Sequence, residues 1–104
     1  MRPIPESHLQ FRESYPEIAR AYEELGRATQ EWGPLDQKTR ELVKLALAIG
    51  HRHEGGTHSH TRRALDAGAT PDEVRHVVLL GLTTLGFPSM LAALTWVEDV
   101  LARE

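Results

Sequence analysis

Apolar residues recur along most of this 104-residue chain at spacings of three and four, the period of a helix with one apolar face. Ile18, Tyr22, Leu25 and Thr29 follow that spacing, and Trp32 extends the same face, which is expected to point inward. Ser14 and Glu17 have capping-box spacing and Pro16 suits an early helical position, so a first helix is predicted from about Ser14. Gly33-Pro34 ends it. Residues 1–13 carry Pro3 and Pro5 without a clear period. They are read as a short extended N-terminal arm, frayed or packed on a neighbour, ahead of a helical domain over 14–104.

Asp36 is a good N-cap for a second helix. From Leu42 to Ile49 every residue but Lys44 is apolar, which predicts a helix buried nearly all round. Gly50 marks its end. A third helix is predicted over about 57–67 with Gly68 as its stop. Thr70, Pro71 and Glu73 form the start of a fourth, with Val74, Val77, Val78, Gly81, Leu82 and Leu85 on one stripe. Gly81 inside that stripe predicts a close helix–helix contact. Gly86-Phe87-Pro88 breaks the chain before a fifth helix, with Leu91, Leu94, Val97 and Leu101 inward. No run alternates with period two, so the fold class is all-α, about five helices.

Composition narrows the chemistry. With 40% hydrophobic and 26% charged residues the chain is ordinary globular material. A net charge of -3 and no basic stripe exclude nucleic acid as an expected partner; Arg62-Arg63 reads as a solvated helix face. No secretory signal or membrane-spanning run is visible, so a cytoplasmic location without a membrane partner is the default expectation. There is no cysteine, which removes disulfide, thiolate-metal and thiol redox chemistry from these residues. A small core, an apolar second helix and a Pro-rich arm predict a homo-oligomer.

The segments Leu35–Val43, His60–Glu73 and Gly86–Pro88 with Ala92 and Ala93 resemble, in order and spacing, the carboxymuconolactone decarboxylase domain. The resemblance spans roughly residues 15–100. It implies an AhpD-like all-helical fold assembled as trimers or hexamers. The family includes cofactor-free decarboxylases of a carboxylated muconolactone and AhpD-type thiol peroxidases. The peroxidase branch carries Cys-x-x-Cys-x-x-x-His with a glutamate twelve residues before the first cysteine. Setting its histidine on His60 puts the glutamate on Glu41 and the two cysteines on His53 and Gly56. Glu41 and His60 are retained and both thiols are gone, so a lyase is favoured over a peroxidase.

His51 to His60 holds four histidines and two glycines in ten residues. With the resemblance, Glu41 and His60 are the first candidates for acid/base chemistry on a small carboxylated or lactone-like substrate, His53 orienting it. A partly desolvated Glu41 is expected to have a raised pKa. The alternatives stand beside this: Glu41 as a first-turn acid serving the helix dipole, and His60 as a surface histidine. No cofactor is expected. A two-histidine, one-carboxylate zinc or iron site of an oxidoreductase pocket, drawn from His53, His58, His60 and Glu41, is the metal alternative. A non-catalytic oligomeric scaffold is the third reading. His76, off the apolar stripe, reads as a rim or interface residue. Trp32, Phe87, Met90 and Trp96 read as core or pocket lining.

Overall fold

Capping and Pro/Gly punctuation divide the chain into seven helices in a computed structural model that describes residues 4–104. They are α1 (Glu6–Ser14), α2 (Pro16–Glu31), α3 (Gln37–Gly50), α4 (Glu54–Asp66), α5 (Pro71–Leu80), α6 (Leu82–Leu85) and α7 (Phe87–Leu101). No strand occurs among the described residues. The chain divides into two units, one ending at Leu35 and one beginning at Asp36.

The first unit holds α1 and α2. The predicted extended arm is instead helical from Glu6 onward, and its first three residues lie outside the described ones. None of the α1 side chains is buried, which is why its sequence shows no period. Glu6 in its first turn and Arg12 in its last complement the helix dipole. Tyr15 ends α1 and begins α2, with its ring 5.3 Å from that of Phe11. Ser14 therefore belongs to α1, and the expected capping box does not form. Arg12 of α1 pairs with Glu23 of α2 at 3.1 Å. The predicted apolar face of α2 exists but is not inward. Ile18, Tyr22 and Leu25 are each more than half exposed, and Trp32 is 89% exposed. Helical period identifies an apolar face; it does not say what covers it.

The second unit holds α3 to α7 around one core of Leu45, Ile49, Ala64, Ala69, Val74, Val78, Met90, Ala93 and Val97. The α4 helix packs against both α3 and α7, and α5 packs against α7 and α3. Its buried face is unusual in being partly polar: Thr57 and Thr61 are fully buried. Their hydroxyls donate to the carbonyls of His53 (2.9 Å) and Thr57 (2.7 Å), one turn back, so no donor is left unmet.

Several starts and stops follow the chemistry expected of them. Asp36 accepts from the Thr39 N–H at 2.8 Å. The Thr70–Glu73 capping box closes in both directions, at 3.1 and 2.9 Å. Gly68, at φ +99, takes the left-handed conformation that stops α4. Glu73 also accepts from Lys38 at 2.9 Å, tying α5 to α3. Arg75 bridges α5 to Glu98 of α7 at 3.0 Å.

Three expectations are corrected. The α3 helix is buried on one side only: Leu45, Ala48 and Ile49 face the core, while Val43 and Leu47 are exposed. The inward stripe of α7 is Met90, Ala93, Val97 and Val100, so Leu91 faces out and Leu94 and Leu101 flank the core. Gly81 does not mark a close approach between helices. It sits where the fourth predicted helix divides into α5 and α6, and a Cβ there would meet Val78 O of its own turn at 3.1 Å.

Two substitutions measure these contributions by urea denaturation. Leu45→Ala empties a fully buried site and is expected to cost about 2–5 kcal/mol. Thr70→Ala removes the α5 cap and is expected to cost about 1 kcal/mol.

Candidate functional site

The site is built on the α3–α4 pair. The helices are joined by His51, Arg52 and His53, and they run antiparallel: Gly56 lies against Ala48, and further along α4 His60 lies against Glu41, further back along α3. Arg52 makes the turn with φ +58, a left-handed conformation few non-glycine residues adopt. In this register Glu41, one turn into α3, lies opposite His60 in the second turn of α4. Glu41 Oε1 is 3.0 Å from His60 Nδ1. Glu41 is 5% exposed and His60 is partly buried beside it.

Burial pushes the Glu41 carboxyl up. The hydrogen bond and charge of His60, with the charges of Arg63 and Lys44, more than offset it, so the carboxyl lies below its ordinary range. The expectation of a raised Glu41 is thereby corrected: a buried acid with cations around it stays ionised. An ionised carboxylate can only accept, so the proton of this bond sits on His60 Nδ1. The other ring nitrogen, Nε2, is then the one able to take or give a proton.

His53 does not join the pair. It is the N-cap of α4, and its Nδ1 accepts the Gly56 N–H at 2.6 Å. Its ring stacks at 6.2 Å on His51. A Cβ on Gly56 would come within 2.8 Å of the His53 ring, so glycine there permits the cap. His58 faces the other way, toward α7, with Nε2 3.6 Å from Asp99 Oδ2, beyond hydrogen-bond length. His53, His58 and His60 thus turn to three different neighbours. Among the described residues no three metal-binding side chains converge, so this arrangement does not fit the proposed two-histidine, one-carboxylate cage. His76 is exposed on α5, Phe87 is largely exposed, Met90 is core, and Trp96 packs at the core's edge.

Reading the residues by type missed the two cations that act on Glu41. Lys44 looked like an interruption in an apolar run and Arg63 like half of a solvated pair. The available signal was spacing, since each lies three residues after a member of the dyad and so on the same helix face.

The sequence matches the family model described as "Carboxymuconolactone decarboxylase family" over residues 16–99. The chain belongs to the carboxymuconolactone decarboxylase family. Solved relatives agree in fold. A carboxymuconolactone decarboxylase family protein from Legionella pneumophila, in its apo form, is 27% identical, with a TM-score of 0.80 over 93% of this chain and 87% of that one. A proposed carboxymuconolactone decarboxylase from Burkholderia xenovorans LB400 is 28% identical, with a TM-score of 0.69 over 96% and 81%. No functionally curated protein matches the sequence. The family's all-helical fold is therefore the fold of this cysteine-free member.

The depressed Glu41 carboxyl has a consequence for stability. Folding favours its ionised form, so this contribution is present above its ordinary value of 4.5 and is lost as pH falls through the lower folded value. Acid titration of unfolding free energy from about pH 5 to 3 should fall more steeply for the native chain than for Glu41→Gln. Parallel curves would show that Glu41 is not held ionised by its neighbours.

Proposed function

We propose that Glu41 and His60 are the acid/base dyad of a small lyase acting on a carboxylated or lactone-like substrate. One observation carries this reading: the 3.0 Å contact between His60 Nδ1 and a buried carboxylate. A carboxylate bound to one imidazole nitrogen sets the ring's tautomer and orientation and stabilises the imidazolium when it forms. Decarboxylation then needs little more from the protein. The bond to the departing carboxylate breaks and CO₂ leaves. The electron pair delocalises toward the lactone carbonyl, and protonated His60 Nε2 returns a proton to carbon. No thiol takes part, in keeping with a sequence that has none.

His60→Ala is expected to lower turnover of a carboxylated muconolactone by about 10²–10⁴-fold, with the helical circular-dichroism signal unchanged. Glu41→Gln keeps an acceptor for Nδ1 but loses the charge, and should fall between the two. Full turnover in His60→Ala would overturn the assignment.

We also infer that the protein works as a homo-oligomer, a trimer or hexamer. Within the first unit, α2 exposes Ile18, Tyr22, Leu25 and Trp32. Within the second, α3, α5 and α6 enclose an apolar groove of about 610 Å³ lined by Leu42, Val43, Leu47, Val77, Leu80 and Leu85 among others. Exposed apolar patches of this kind mark association surfaces. Light scattering at micromolar concentration should give a multiple of 11.7 kDa, and Leu47→Glu should shift it toward the single chain. A stable monomer in the native protein would refute self-association.

A further inference from the structure

We propose that Lys44 and Arg63 form a carboxylate-binding bracket around the Glu41–His60 dyad, so that the substrate enters as an anion held by these two cations. The inference rests on the dyad reading above and names what the site recognises.

Three observations lead to it. Lys44 lies one turn beyond Glu41 on α3, and Arg63 one turn beyond His60 on α4, so each shares its helix face with a member of the dyad. Because α3 and α4 run in opposite directions, those equal steps carry the two cations to opposite sides of the 3.0 Å Glu41–His60 contact. Secondly, neither side chain makes an ion pair or hydrogen bond with any described residue. This contrasts with Lys38, Arg27 and Arg75, which are all paired with carboxylates. Thirdly, both act on the dyad: after His60, Arg63 and Lys44 are the charges that offset the burial of Glu41.

The charge balance selects the ligand. With the imidazole neutral, two cations against one carboxylate leave a single positive charge at the dyad, which suits one further carboxylate. Arg63 is exposed and Lys44 is partly so. Both can therefore reach a ligand from solvent, with Arg63 offering a planar fork and Lys44 a point charge. The bracket makes Lys44 and Arg63 specificity residues, not proton-transfer groups.

Binding tests this without turnover. The probes are 5-oxotetrahydrofuran-2-carboxylate and its uncharged carboxamide, followed by NMR titration of the His60 ring resonances in the full chain. The carboxylate is expected to bind more tightly, with the preference falling as salt rises. Lys44→Met and Arg63→Met should each weaken carboxylate binding about threefold to tenfold and leave carboxamide binding unchanged. Lys44→Arg should retain it, and the double Met variant should bind both probes alike. Equal binding of the two probes to the native protein, or an undiminished preference in the double variant, would overturn the bracket. Such a failure would leave the dyad standing, because the dyad is judged by turnover in His60→Ala.

Discussion

Burying the Glu41 carboxylate is the constraint on which the α3–α4 arrangement depends. An unpartnered carboxylate in that position would cost several kcal/mol. His60 meets it from the neighbouring helix, and Arg63 and Lys44 add favourable charge. The two helices can hold this pairing in only one register, because a step of one residue on either turns the side chain roughly 100° away. A structural requirement, keeping a buried charge solvated by protein, thus fixes the orientation of the His60 imidazole.

The rest of the second unit supports that register. The α4 helix lies against α3 and α7 and presents Thr57, Thr61 and Ala64 to its neighbours. Small residues allow close packing, and the threonine hydroxyls return to their own helix, so the buried polar atoms are satisfied within α4. At its start, the His53 cap on Gly56 sets where the helix begins and therefore which histidines face which neighbour. His58 and His60, two residues apart, are sent toward α7 and α3 respectively. The histidine-rich segment is in this sense three devices: a cap, a contact with α7, and half of the dyad.

The chain belongs to the carboxymuconolactone decarboxylase family and contains no cysteine. Its all-helical fold brings Glu41 and His60 together with no thiol in the chain. The same helices leave apolar surface uncovered on both units, which accords with a small chain whose own core is limited to a few residues per helix.

Read alone, the sequence determined the helical class, the caps at Asp36 and Thr70, the stop at Gly68 and the pairing of Glu41 with His60. Each of these is written in local spacing or in a matching family pattern. It did not determine α1, where no face is buried and no period is needed. It also misplaced the covered side of α2, the full burial of α3 and the inward stripe of α7, because period reports that a face is apolar and not what lies against it. Only the tertiary structure decided where each histidine turns, since residues of one type in one short segment diverge by 100° per step along a helix. The same holds for the state of Glu41: burial alone would raise its pKa, and only the approach of His60, Arg63 and Lys44 from two helices reverses the sign.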